Sequence, residues 1–345
     1  MATADVTVMG AGVFGLSVAW ACVQRGARVQ VIDPAGVAAG ASGGIVGALA
    51  PHVPEQWNTK KAFQLNSLLM AEAFWAEIAA VSGLPTGYAR AGRLQPLADA
   101  AAVDLARGRA AGAAELWQGH AAWEVVAATG APWEPASPTG LLVRDTLSAL
   151  LHPRHGTQAL AAAVMAKGGR IGPQGAAEGA VVWATGAAGL DEMTRAHSRM
   201  VGAGVKGQAA LLGHDAAGQP QLFVGGLHIV PHHDGTVAIG STTERDFADP
   251  VQTDTQLDAL IVQARTVLPV LADAPVRARW AGVRPRSRSR APMIGPHPFR
   301  PGEYVANGGF KIGFGMAPKV AEVMADLILD RRDTIPDAFR PAASL

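Results

Sequence analysis

Residues 6–33 read VTVMGAGVFGLSVAWACVQRGARVQVID, and this stretch decides the fold. Val6–Met9 has the composition of a short buried strand, and the glycine-rich turn Gly10–Gly15 follows it at once. A run of helix-compatible residues comes next, and the apolar run Arg28–Ile32 then ends at Asp33. A strand, a GxGxxG turn, a helix, a second strand and an acidic residue in this order predict a βαβ unit that binds a dinucleotide.

Each residue type in the turn has a physical reason. Gly10 permits the tight turn, Gly12 lets a pyrophosphate approach the backbone, and Gly15 lets the helix pack closely on the strand. The helix N-terminus offers free N–H groups and a positive dipole end to the phosphates. Asp33 can accept hydrogen bonds from ribose hydroxyls. The cofactor-binding residues predicted in this stretch are Gly10, Gly12, Val13, Phe14, Gly15 and Asp33.

Composition excludes several classes of protein. The chain has 345 residues, of which 49% are hydrophobic and 17% charged, so it is too apolar for a disordered tail. Its net charge of +1 is too small for binding nucleic acid by bulk charge. The single cysteine, Cys22, excludes an internal disulfide and a cysteine-based zinc site. The sequence has no signal-peptide pattern and no apolar run of ~18 residues, so we expect a cytoplasmic protein without a membrane span.

Strand and helix patterns predict an α/β (α+β two-domain) fold. It combines a discontinuous Rossmann-like domain with a substrate domain built on an antiparallel sheet. Hairpins dominate the second half of the chain, with Asp234-Gly235 at one turn. The last helix is expected to begin near Met316-Ala317. The predicted dinucleotide-binding domain comprises residues 1–82, 140–200 and 280–345, and the substrate domain comprises 83–139 and 201–279.

Further motifs point to one family. Five segments occur in a fixed order: Gly10–Gly15 with Asp33; Ala41–Gly47; Val182–Ala187; Trp280–Pro285 with Ala291–Gly295; and Gly308–Lys311 with Ala317-Pro318. Together they resemble the D-amino-acid oxidase superfamily of FAD enzymes, and within it the branch of glycine oxidase and monomeric sarcosine oxidase. The resemblance covers most of the chain and favours FAD over NAD.

The resemblance implies a noncovalent FAD, because no cysteine stands in the fourth or fifth segment. It also implies a Rossmann-like FAD-binding domain whose later segments return to the cofactor. Beyond the first segment, the implied cofactor-binding residues are Ser42, Gly43, Gly44, Val46, Gly47, Ala184, Thr185, Gly186, Gly282, Arg284, Gly309, Phe310, Lys311, Ile312 and Gly313.

The activity implied is oxidation of a small amine or amino acid to an imine, by hydride transfer to flavin N5. Glycine, sarcosine and D-amino acids exemplify the substrate class, and oxygen or another acceptor reoxidises the flavin. Arg284 and Lys311 would anchor the substrate carboxylate, since a planar guanidinium can grip it with two hydrogen bonds. No general base is assigned. His52, which follows the second segment, either lines the active site or is an ordinary loop histidine.

Two other readings stay open at this stage. Alternating arginines between Arg277 and Arg290 suggest an RNA-directed flavoenzyme of the tRNA-modifying type, although the neutral total charge favours no nucleic-acid partner. The segment 171–180 is shorter than is usual in the family, which suggests a flavin-binding protein without amine oxidase activity and leaves its adenine contacts open.

No metal site is predicted. His228, His232 and His233 are close in sequence, but neighbouring strand residues point to opposite faces of a sheet. The oligomeric state, including a homo-oligomer, is left open.

Overall fold

A computed structural model describes residues 4–345, so residues 1–3 of the first predicted domain segment lie outside the described residues. The helices of this range are α1 (Val13–Gln24), α2 (Thr59–Ser82), α3 (Ala100–Leu116), α4 (Pro153–Ala166), α5 (Gly186–Ala196), α6 (Thr255–Val267) and α7 (Gly313–Leu329). The strands are β1 (Val6–Met9), β2 (Val29–Ile32), β3 (Ala48–Leu49), β4 (Arg93–Pro96), β5 (Trp123–Ala127), β6 (Leu141–Asp145), β7 (Ala149–Leu150), β8 (Arg170–Gly172), β9 (Ala180–Trp183), β10 (Gly202–Gly213), β11 (Gln221–Val224), β12 (Leu227–Pro231), β13 (Thr236–Gly240), β14 (Val276–Ser287), β15 (Met293–Pro296) and β16 (Tyr304–Asn307).

One sheet of the described range has six strands in the order β15-β16-β9-β1-β2-β8. The pairs from β16 to β8 are parallel, and β15 is antiparallel to β16. Helix α1 is apolar on nearly all sides and buried between this sheet and the helices α4 and α7. Cys22 of α1 is fully buried in this core, and burial raises the pKa of its thiol to about 12. The βαβ prediction for residues 6–33 is therefore confirmed.

The second sheet of residues 4–345 has eight strands in the order β14-β10-β13-β12-β11-β4-β6-β5. All neighbours are antiparallel except β11 and β4, which are parallel. The expected hairpin turn at Asp234-Gly235 joins β12 to β13, with Gly235 at φ +77°. Helix α6 covers this sheet and closes a second core.

Sheet membership differs from the predicted domain boundaries at two places. Strand β6 begins at Leu141, inside the predicted dinucleotide-binding segment 140–200, yet it pairs with β4 and β5 of the eight-stranded sheet. Strand β14 crosses residue 280 without interruption and pairs with β10 as far as Ser287. The boundary at 280 therefore falls inside β14, and the boundary at 140 falls just before β6, which also belongs to the eight-stranded sheet. The reason is that the long strand β14 continues from one unit to the other, which composition alone does not reveal.

The last helix also begins earlier than expected. The expected start near Met316-Ala317 puts Pro318 in the first turn, where a proline is favoured. In the structure, Ile312 N–H donates to Gly309 O and Met316 N–H donates to Ile312 O, so the turn after β16 runs directly into α7 at Gly313. Pro318 therefore lies inside the helix. Among the described residues, no helix is both long and apolar enough to cross a membrane.

Candidate functional site

The carboxyl end of β1 forms the tight turn that the glycine pattern predicts. Gly10 has φ +115°, and a Cβ atom there would lie 2.4 Å from the carbonyl oxygen of Ala184. A Cβ at Gly15 would lie 2.1 Å from Gly10 O, so the helix could not pack against its own turn. Gly12 is the N-cap of α1 and is extended. The glycines thus bring β1, α1 and the end of β9 into close contact.

Two side chains meet the backbone N–H groups at this turn. Ser42, in the short 3-10 helix Ala41–Gly43, accepts a hydrogen bond from Val13 N–H at 2.9 Å through its hydroxyl. Asp33 Oδ2 accepts a hydrogen bond from Ala11 N–H at 2.8 Å. A carboxylate oxygen has further lone pairs, so Asp33 can also accept hydrogen bonds from a ribose. The second predicted segment therefore lies at the N-terminus of α1, beside the first.

A cavity of about 290 Å³ opens next to Asp33. It is lined by Ala11, Asp33 and Pro34 on one side and by Ile171, Gly172 and Pro173 on the other. The short segment 171–180 therefore supplies a wall of this cavity through β8, which pairs with β2. The cavity lies where the βαβ unit would place the nucleoside of a dinucleotide.

The rest of the second segment is tightly confined. A Cβ at Gly43 would lie 2.2 Å from Ala38 O, and one at Gly47 would lie 2.0 Å from Leu151 O. Gly44 lies beneath the indole of Trp280, and a Cβ at Gly282 would lie 2.4 Å from that same ring. Trp280 thus fixes the fourth segment against the second.

The third and fifth segments reach the same edge of the six-stranded sheet. Ala184 N–H donates to Met9 O at 2.7 Å, and Thr185 is the N-cap of α5. Asn307 at the end of β16 donates through Nδ2 to Gly186 O at 2.9 Å. A Cβ at Gly309 would lie 2.9 Å from the ring of Phe14. Ile312 is the N-cap of α7, which starts at Gly313, so the N-termini of α1, α5 and α7 lie at one edge.

Arg284 lies in β14 and is 8% exposed. Its Nη1 donates to Ser241 Oγ at 2.6 Å, and its Nη2 donates to the carbonyl oxygens of Lys206 and Thr242 at 3.0 and 2.7 Å. Its Nε is buried and has no hydrogen-bond partner within residues 4–345. Desolvation lowers the pKa of Arg284 to about 10, with the nearby Glu244 acting in the opposite sense, so the guanidinium stays charged near neutral pH.

Phe310 and Lys311 stand beside Arg284. The Arg284 guanidinium lies 5.4 Å from the ring centre of Phe310, whose N–H donates to Pro285 O at 2.9 Å. Lys311 Nζ donates to Thr243 Oγ1 at 2.9 Å. Partial desolvation and the charge of Arg284 lower the pKa of Lys311. Two cations held this close repel each other, so together they favour an anion between them.

Sequence reasoning missed the residues that position Arg284. Ser241, Thr242 and Thr243 follow β13 and supply its hydroxyl and carbonyl partners, together with that of Lys311. A Cβ at Gly207 of β10 would lie 2.4 Å from Arg284 Nη2 and 2.5 Å from its Cζ. The run Gly-Ser-Thr-Thr after a strand was a readable signal, because hydroxyl residues at a strand end are often functional. Gly207 carried no such signal.

His52 is not brought to this group of residues. It is exposed, follows β3, and both its N–H and its ring nitrogen Nδ1 contact Gln64 Oε1 of α2. Burial lowers the pKa of His52, so its ring is neutral near pH 7. The contacts favour the reading of an ordinary loop histidine.

The arginines between Arg277 and Arg290 face different partners. Arg279 pairs with Asp258 of α6 at 2.5 Å, Arg284 is buried, and Arg286 lies over the ring of Phe310. Arg288 hydrogen-bonds the backbone of Leu345. They therefore do not form a uniform basic strip along one face, which weakens the basis of an RNA-directed reading.

Comparisons with known proteins agree with the five segments. The sequence profile of the family described as FAD dependent oxidoreductase (DAO) matches residues 5–327. Glycine oxidase of Pseudomonas aeruginosa is 36% identical over 143 residues, which cover 41% of this chain and 39% of that protein. The bifunctional protein ThiO/ThiG of Nostoc sp. is 25% identical, with 96% of this chain and 53% of that protein covered. The matches thus span about two fifths to one half of these curated relatives.

Solved structures show the same fold over nearly the whole chain. Glycine oxidase from Geobacillus kaustophilus has a TM-score of 0.82 and 22% identity, covering 97% of this chain and 96% of that one. Iminodiacetate oxidase from Chelativorans sp. BNC1 has a TM-score of 0.84 and 18% identity, covering 97% and 98%. The two-domain architecture is therefore that of these enzymes.

Proposed function

The chain belongs to the family of FAD dependent oxidoreductases, and we propose that it oxidises a small amine or amino acid bearing a carboxylate to the corresponding imine. Glycine, sarcosine and small D-amino acids are the substrate class. The names of the relatives support this class, because glycine oxidases occur among both the sequence and the structural matches.

The residues present fit a bound FAD. The glycine turn and the N-terminus of α1 suit the pyrophosphate, since any side chain at Gly10 would meet the carbonyl of Ala184. The cavity of about 290 Å³ beside Asp33 suits the adenosine half, including the wall supplied by Ile171 and Gly172. The short segment 171–180 therefore does not argue for a lost cofactor site. We propose that FAD is held noncovalently, because Cys22 is buried in the core.

One observation carries the proposal. Arg284 is a buried guanidinium whose Nε has no partner among the described residues, although its other nitrogens bind Ser241, Lys206 and Thr242. A buried donor without a partner costs about 1–3 kcal/mol. A buried guanidinium beside a second cation, Lys311, favours a bound anion, and a substrate carboxylate meets that requirement.

The chemistry divides between the cofactor and the chain. FAD, when bound, supplies the acceptor for a hydride from the substrate α-carbon. Arg284 and Lys311 hold the carboxylate and so orient the α-carbon. The substrate amine binds neutral, its nitrogen lone pair forms the C=N bond as the hydride leaves, and the nitrogen releases one proton to solvent. Water then hydrolyses the imine to an oxo acid and ammonia, or to an oxo acid and an amine where the substrate is N-substituted.

The purified protein tests the proposal directly. Its visible spectrum is recorded without oxygen, before and after addition of glycine, sarcosine and D-alanine. We expect a yellow chromophore that bleaches with at least one of these substrates, and formation of one equivalent of imine-derived oxo acid. Methylamine, which has no carboxylate, serves as the matched control and should bleach the flavin far more slowly. Readmitted oxygen shows whether oxygen is the acceptor.

Each failure has a separate meaning. A colourless protein that does not take up added FAD would contradict the cofactor site. A yellow protein that no amine bleaches would identify a flavin-binding protein without amine oxidase activity. Equal bleaching by sarcosine and methylamine would remove the carboxylate from the substrate definition.

A further inference from the structure

A group of histidines lies apart from Arg284, where α4 meets the hairpin of β12 and β13. His152 is the N-cap of α4 and His155 lies one turn later, and their rings stack at 3.7 Å between centres. His232 follows β12 with its ring 4.5 Å from that of His152. Asp234 stands at the hairpin turn. We call these four residues the histidine cluster: His152, His155, His232 and Asp234. His228, which sequence proximity grouped with His232, instead contacts Phe223.

The donor atoms of three members of this cluster converge. One ligand atom each from His152, His155 and Asp234 lie within 4.8 Å of one another. Two ligands of one divalent ion are separated by about 3–3.5 Å in a tetrahedral site with bonds of ~2 Å. Small side-chain movements would therefore bring the ligand atoms to these distances. They include a rotation of one stacked ring about χ2, because the planes of the His152 and His155 rings are only 12° apart.

His232 supplies a second, independent observation. Its Nε2 lies 2.9 Å from the carbonyl oxygen of Ile45, which can only accept, so this nitrogen carries the proton. The other nitrogen, Nδ1, then presents a lone pair, and it is fully buried with no partner in the part of the chain that the structure describes. A backbone carbonyl that orients an imidazole in this way is the usual support of a metal-binding histidine.

The surroundings are compatible with binding. Gly87 faces the cluster, and a Cβ there would lie 3.2 Å from both His152 Cβ and His233 Nδ1. Asp234 is exposed, so the cluster can be reached from solvent on that side.

We infer that the histidine cluster is a site for a divalent transition metal of the zinc class, with His152, His155 and Asp234 as ligands and the buried His232 beside His152. Imidazole-rich donor sets favour Zn²⁺, Ni²⁺ and Cu²⁺ over Mg²⁺ and Ca²⁺. The set offers three protein ligands and leaves a fourth position for water or a further donor. Bound there, the ion links α4 to the β12–β13 hairpin, whose His232 also contacts Ile45 O.

Titration with Zn²⁺ alone tests the inference. The untagged, FAD-containing full chain is treated with a chelator, dialysed and titrated calorimetrically near neutral pH. His155→Asn and Asp234→Asn each remove one ligand from a partly exposed position. His197→Asn is the matched control, because it removes an imidazole at the end of α5, far along the chain from the cluster and beside Phe299. Melting temperatures with and without Zn²⁺ give a second measurement.

We expect the unaltered protein and His197→Asn to bind one equivalent of Zn²⁺ and to melt at a higher temperature with it, because the ion binds the folded state. Both ligand variants should keep their FAD and bind Zn²⁺ at least about tenfold more weakly, with no rise in melting temperature. The inference is overturned if the unaltered protein shows no saturable binding, or if all the variants bind Zn²⁺ alike.

Discussion

The phosphate-binding end of the molecule and the Arg284 end differ in how far apart along the chain their residues lie. Gly10, Gly12 and Asp33 belong to one βαβ unit, whose elements β1, α1 and β2 follow one another directly along the chain. Arg284 of β14 depends on Gly207 of β10 and on the residues after β13. The first arrangement is local, so a sequence pattern predicts it. The arrangement around Arg284 exists only when the strands of the eight-stranded sheet have paired in their native register.

The glycine turn of the βαβ unit should tolerate substitutions less well than the surroundings of Arg284. Gly10→Ala places a Cβ 2.4 Å from the carbonyl of Ala184 at φ +115°, so β1 and β9 cannot keep their positions. We expect FAD affinity to fall at least tenfold, about 1.4 kcal/mol or more. Gly26→Ala is the control, because Gly26 also has positive φ but no heavy atom within 4 Å. It should cost only about 1 kcal/mol of stability and keep its FAD. Equal flavin content of the two purified variants would contradict the comparison.

In the surroundings of Arg284, the substitution Arg284→Ala should raise KM for the carboxylate substrate. Loss of a charged hydrogen bond of about 1.5–3 kcal/mol corresponds to an increase of about 10- to 150-fold. FAD content should stay the same. Arg279→Ala removes a partly exposed arginine of the same strand, paired with Asp258, and should leave the kinetics nearly unchanged. Unaltered steady-state kinetics in Arg284→Ala would remove Arg284 from the site.

Gly207→Ala tests whether the position of the Arg284 guanidinium matters, because Gly207 itself need not touch the substrate. The added Cβ would lie 2.4 Å from Arg284 Nη2, so the guanidinium has to leave its hydrogen bonds to Lys206 and Thr242. We expect KM to rise about tenfold, about 1.4 kcal/mol, at unchanged FAD content. Gly108→Ala, a helical glycine in open space, is the control. A normal KM in Gly207→Ala would show that the guanidinium can shift without loss.

The smallest effect concerns the pH dependence of binding at Lys311. Desolvation and Arg284 lower its pKa, so its charge is complete below that pKa and is lost as pH rises through it, earlier than for an ordinary lysine. Acetate, a carboxylate without an amine, should therefore inhibit about threefold less strongly at alkaline pH than at neutral pH. Lys311→Arg should move this weakening to higher pH, since a guanidinium keeps its proton. A flat profile in the unaltered protein would exclude Lys311 from anion binding.

Sequence reasoning predicted the elements that local chemistry determines. The βαβ unit, the hairpin at Asp234-Gly235 and the family are confirmed, because turns and the alternation of strands and helices can be read from local sequence. The start of α7 was predicted too late, since Pro318 is favoured in a first turn but tolerated inside a helix that tertiary contacts stabilise.

Long-range register was not predictable in the same way. Ser241 and Thr242 reach Arg284 because β10 pairs with both β13 and β14, and no single-sequence pattern reports that pairing. The same holds for the histidine cluster, which joins the N-terminus of α4 to a hairpin turn some eighty residues later. The roles of Arg284 and Lys311 stay predictions until the kinetics are measured.

Gly207 also bears on how relatives of this protein are interpreted. A relative can keep an arginine equivalent to Arg284 and every glycine of the cofactor turn, and still differ at the position of Gly207. Motif comparison would then assign it the same substrate class, although its guanidinium has no room to lie as it does here. One methyl group added beside this arginine could thus change its position while the motif itself stays intact.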